Sequence, residues 1–84
     1  PGMKKQPIKV LLSHLGNYKA DGLAWPDHRT IAIDKRLKGH RKLETIIHEI
    51  IHIQNPKWPG IMVEGKAKEL ADILWELGYR EVDI

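Results

Sequence analysis

Between Leu43 and Ile53 the chain places Leu43, Ile46, Ile47, Ile50, Ile51 and Ile53 at steps of three and four. That spacing is helical. Isoleucine is a poor helix former, so packing against other elements, not propensity, has to hold this segment in shape. The helix is expected from Arg41 to about Gln54. Asn55-Pro56 ends it, because a residue before proline avoids the helical region. The rest of the chain is constrained by having to pack against this element.

Upstream, Ile8–Leu12 has the apolar, β-branched content of a strand, followed by a turn around Gly16-Asn17. Asp21–Trp25 is a second short strand, and Pro26-Asp27-His28 carries turn chemistry. Thr30–Ile33 is the clearest strand, with three β-branched residues in four. Strands at this spacing joined by short turns suggest an antiparallel meander of three. Gly39 then breaks the pattern before the helix. Downstream, Trp58-Pro59-Gly60 is loop, and a second helix is expected from about Ile61 to Leu77, stopped by Gly78. The fold class is α+β: a small antiparallel three-stranded sheet, a central helix and a second packed helix. One domain over residues 3–84 is expected, with Pro1-Gly2 ahead of Met3 read as a cloning remnant.

A chain of 84 residues buries too little surface to be comfortably stable, and a bound metal would add folding stability. There is no cysteine, so disulfides, thiolate metal sites and cysteine nucleophiles are excluded, and the cytoplasm is the expected compartment. No stretch is apolar enough for a membrane span, and no signal peptide is recognisable. The net charge of +3 gives at most a weak attraction to polyanions. Its densest basic run, Lys35, Arg36, Lys38, His40, Arg41 and Lys42, reads as a solvated loop entering a helix, with a nucleic-acid patch as the alternative.

The central helix contains His48-Glu49-Ile-Ile-His52. Residues four apart lie one above the other on a helix, so His48 and His52 can aim their imidazoles at one point. Imidazole is a good zinc ligand, and Glu49, about 100° round from His48, would sit beside the metal. From there it can act as a general base, the division of labour of the HExxH motif. The alternative is a metal-free packing helix, in which two histidines among so many aliphatics are hard to satisfy.

A catalytic zinc needs a third protein ligand. No histidine follows His52; Asn55 and Trp58 occupy the places where the extended HExxHxxGxxH motif has glycine and histidine. The downstream carboxylates are Glu64, Glu69, Asp72, Glu76, Glu81 and Asp83. With Ala67 at the centre of the second helix's inner face, Val63, Leu70, Ala71, Leu74 and Leu77 fall within about 80° of it. Glu64 falls at its border, near about 60°, while Glu69, Asp72 and Glu76 face solvent. Glu64 is thus the candidate ligand; the competing reading is a carboxylate favouring the positive end of its helix.

HEIIH followed by Glu64, Ala67, Leu70, Ala71 and Leu74, in the order E-x-x-A-x-x-L-A-x-x-L, resembles the gluzincin metallopeptidases. It resembles most the small single-domain minigluzincins and short phage and bacterial HExxH proteins. The resemblance covers residues 30 to 77. It implies a minimal zincin fold, one Zn2+ per chain held by His48, His52 and Glu64, and Glu49 as general base on a zinc-bound water. It implies hydrolysis of peptide bonds in a peptide or protein substrate. By the same resemblance Thr30, Ile31, Ala32 and Ile33 would line the cleft and pair with extended substrate. Two departures stand out. Lys68 occupies a position where larger gluzincins carry Asp or Ser, and no second subdomain closes a cleft. An oxyanion donor could come from His14, Tyr18, His28, Arg29, His40 or Tyr79; His28 and Arg29 are preferred, although each also reads as a surface residue. Asp34 could orient a ligand histidine or close a turn. Beside the peptidase stand two other readings: a zinc-binding domain without turnover, and a small basic nucleic-acid binder. The sequence does not set the oligomeric state.

Overall fold

The structure, a computed structural model, describes residues 6–82; the expected remnant at Pro1-Gly2 and the carboxylate of Asp83 lie outside these. Three strands, β1 (Lys9–Ser13), β2 (Gly22–Trp25) and β3 (Thr30–Asp34), precede two helices, α1 (Gly39–Gln54) and α2 (Gly60–Glu76). The α+β architecture is the expected one. The sheet is not a meander: its order is β1-β3-β2, with β1 parallel and β2 antiparallel to β3. The strands still alternate in direction along the chain, but β3 inserts between the other two. Its composition explains the place. Ile31, Ala32, Ile33 and Asp34 are all buried, and a strand that is apolar on both faces belongs in the middle of a sheet. β2, with Gly22 and Ala24, offers too little side chain for that position.

One face of the sheet carries Ile31, Ile33 and Ala24, which pack with Leu37, Ile46, Ile50 and Ile53. The other side of α1 sets Ile47 and Ile51 against Val63 and Ala67 of α2. The layers are therefore sheet, α1, α2, and α1 is covered from two directions, which is what its isoleucines require. Gly39 opens α1 with φ +60, a left-handed conformation that glycine adopts without strain. Asn55 closes α1, its N–H bonded to Ile51 O. Gly78, with φ +95, ends α2. There the N–H of Gly78 reaches Trp75 O and that of Tyr79 reaches Leu74 O, the paired bonds of a Schellman motif.

Small Ala67 and Ala71 are fully buried and let the helices approach closely. The expected inner stripe of α2 is narrower than its phase suggested. Leu70 and Leu77 are 46% and 70% exposed, because among the described residues α2 packs on α1 and nothing covers its far flank. Among the described residues no helix is long and apolar enough to cross a membrane.

Candidate metal centre

α1 brings His48, Glu49 and His52 together, with ligand atoms within 4.8 Å of one another. The two imidazoles are half-buried, and their Nε2 atoms stand 3.1 Å apart. Two nitrogens on one tetrahedral zinc, each at about 2.0–2.1 Å, would be roughly 3.3 Å apart. The pair therefore fits a shared metal with little movement. Burial, and then the neighbouring His48, push the pKa of His52 down, which favours the neutral form a metal needs.

Glu49 points between α1 and the sheet and is only 7% exposed. Burial pushes its carboxyl up to about 7. Glu49 also borders a cavity of about 270 Å³. A buried carboxylate favours its neutral form or a cation close by. Its seat is made by Gly22 of β2. A Cβ at Gly22 would stand 2.8 Å from Glu49 Oε2 and 2.9 Å from Thr45 Cγ2. Any side chain there would displace the carboxylate.

The cavity is bordered by His48, Glu49, Thr45 and Glu44 of α1, by Asp21 and Gly22 beside β2, and by Glu64 of α2. Glu64 thus reaches the same cavity as His48. It is exposed, and its carboxylate stands outside the 4.8 Å cluster of His48, Glu49 and His52. The antiparallel register of the helices explains its place. His40 meets Asp72 at 2.7 Å, and eight residues further along α1 the register brings Glu64 opposite His48.

Other expected site residues lie elsewhere. Thr30–Ile33 is not an exposed edge, since β3 is paired on both sides; the free edge beside the cavity belongs to β2. His28 and Arg29 occupy the turn between β2 and β3, outside the cavity lining, and Arg29 Nε bonds Gln6 O at 2.7 Å. Asp34 closes the turn into α1. It accepts bonds from the Arg36 backbone N–H and guanidinium at 2.8–3.0 Å, and these hold its carboxyl well below the usual carboxylate range. His40 is bound to Asp72, and Tyr79 lines a separate cavity at the far end of α1. The sequence reading missed Asp21, Gly22, Glu44 and Thr45. Glu44 was accessible to the same arithmetic that paired the histidines, being four residues before His48. Gly22 carried no signal until β2 was placed over α1.

Most of the basic run at 35–42 is engaged internally. Arg36 pairs with Asp34, His40 with Asp72, Arg41 with Asp21 and Lys42 with Glu81. Comparison with known protein families, with curated proteins and with solved structures finds no match for this chain. What the site itself supports is a His-Glu-His group on one helix, at metal-binding distance, beside an acidic cavity.

Proposed function

We propose that the protein is a zinc-dependent peptidase of the gluzincin type. The observation that carries the reading is the pair of Nε2 atoms 3.1 Å apart on α1, with the buried Glu49 at their side. His48 and His52 would hold the metal through Nε2, and Glu64 would complete the ligand set from the first turn of α2. Zinc bound there would supply a Lewis acid that polarises a scissile carbonyl and acidifies water toward a pKa of about 7. Glu49 does the proton work. Its carboxylate accepts a proton from the attacking water and returns it to the leaving amine nitrogen. Gly22 keeps that carboxylate in place. The free edge of β2 offers backbone groups to which an extended peptide can add as a further strand.

The engaged basic run argues against a nucleic-acid binder, because few cations there are left for phosphates. The exposure of Glu64 favours one second reading, a metal-binding domain without turnover. Zinc content of the purified chain, with Glu64→Ala and Glu69→Ala beside it, and cleavage of a peptide library by wild type and Glu49→Gln, separate the two. The peptidase reading expects about one zinc per chain, lost with Glu64→Ala only, and cleavage that falls about a hundredfold or more in Glu49→Gln. Zinc without cleavage leaves the second reading; no zinc ends both.

A further inference from the structure

The chain is basic overall, at +3, yet the cavity at the histidines is bordered by four carboxylates: Asp21, Glu44, Glu49 and Glu64. Three of them have work. Asp21 is gripped by Arg41 through two bonds of 2.8 and 2.9 Å. Glu64 and Glu49 are the ligand and base of the proposed peptidase, and together they match the two charges of a zinc held by neutral histidines. Glu44 is left over. Among the described residues its ion-pair contact is with His40 Nδ1, 3.9 Å away, too far for a hydrogen bond. Lys68, whose charge feels Glu44, gives its ammonium to Asp72 at 2.9 Å. The side chain of Glu44 is 35% exposed, so it sits at the cavity mouth, open to a ligand. The cavity is a built one, since the buried Glu49, 7% exposed, borders it beside His48.

We infer that Glu44 selects the substrate: the site takes peptides with a lysine or arginine next to the scissile bond, the cation resting on Glu44 while the peptide backbone lies along β2. This rests on the peptidase reading and adds a substrate class to it. A carboxylate one helical turn from the ligand His48 is close enough to meet a side chain flanking the reacting carbonyl. A charge pair at such a partly shielded site discriminates between substrates by more than it does in open water.

The test uses the zinc-loaded full chain and a peptide library read by mass spectrometry, followed by rates on one cleaved peptide and its norleucine counterpart. Cleavage should concentrate beside lysine and arginine. Glu44→Gln should lower kcat/KM for the lysine peptide about tenfold and leave the norleucine peptide unchanged. Glu69→Gln should do neither, and zinc content should be equal in all three proteins. A binding arm needs no turnover: Glu49→Gln protein should bind the lysine peptide tighter than the norleucine one, and Glu44→Gln in that background should abolish the difference. Cleavage without a basic preference overturns the inference and leaves the peptidase standing, as does loss of zinc in Glu44→Gln, which would make Glu44 a metal ligand. A zinc-loaded wild type that cleaves nothing overturns the peptidase reading and this inference with it.

Discussion

Along α1 two groups of metal-ligand side chains follow one another, one with a single imidazole and two carboxylates, the other with two imidazoles and one carboxylate. His40 and Glu44 meet Asp72 of α2 near its start, and His48, Glu49 and His52 gather further along. Either set, read as residue types, could hold a metal. Their surroundings separate them. In the first, His40 Nε2 is 2.7 Å from Asp72, and Asp72 also accepts a bond from Lys68 at 2.9 Å. These bonds hold the Asp72 carboxyl down, Lys68 first and His40 second. A cation already stands where a metal would go, and His40 and Asp72 act as a clamp between the helices while Glu44 stays outside these bonds. In the second, the imidazoles contact each other, His48 and Glu49 border a cavity, and the Glu49 carboxyl is pushed up. Ligand-type side chains become a site where the fold leaves them unsatisfied.

Exchanging histidines gives the largest contrast. His48→Ala or His52→Ala should weaken zinc binding by roughly a thousandfold or more, whereas His40→Ala should leave it within about threefold. Competition with a chromogenic chelator measures both. Equal losses would erase the distinction between the groups.

Next comes Gly22→Ala. The added methyl must push on Glu49 or Thr45, at an expected cost of about 1–3 kcal/mol in denaturant unfolding of the metal-free protein. Peptide cleavage should fall while zinc content holds, because the methyl meets Glu49 and neither histidine. A neutral substitution would mean that β2 does not fix Glu49.

Glu49 itself gives a pH signature. Its folded pKa of about 7 lies above the group's ordinary value of 4.5, so the folded state holds this proton more tightly than the unfolded one. The carboxylate therefore costs nothing below about pH 4.5 and destabilises increasingly until about pH 7. His52, with its pKa lowered, acts in the opposite sense, removing stability as pH falls below about 6.5. The two oppose each other in the wild type, and Glu49→Gln isolates the first. Without metal, the stability of Glu49→Gln relative to wild type should grow by about 3 kcal/mol between pH 4.5 and 7.5. A flat difference would place Glu49 in solvent.

The smallest effect belongs to the clamp. Asp72→Asn should lower Tm by no more than a few degrees, since its partners are part-exposed and surface ion pairs contribute little. Zinc uptake should not change.

Much of this was readable before the fold was known, and the reasons are local. Helical spacing alone puts His48 above His52, and proline and glycine chemistry ends α1 at Asn55 and α2 at Gly78. The phase of α2 brought Glu64 to the right border, yet it overstated the burial of Leu70 and Leu77, because phase says which way a side chain points and not whether anything lies there. The strand order was not legible. Short turns between strands point to neighbours in sequence being neighbours in the sheet, and only the burial of Ile31 and Ile33 puts β3 between β1 and β2. That error moved the free edge from β2 to β3 and hid Gly22 and Asp21 from the site.

The measurement that bears most directly on the account is the zinc content of the wild-type chain, after zinc is supplied and the excess dialysed away, with His40→Ala and His52→Ala treated alike. The account predicts about one zinc per chain in wild type and His40→Ala and almost none in His52→Ala. A wild type that retains no zinc, or a His52→Ala protein that retains it fully, would contradict it: HEIIH would then be a packing helix, and the 3.1 Å contact a hydrogen bond between two histidines.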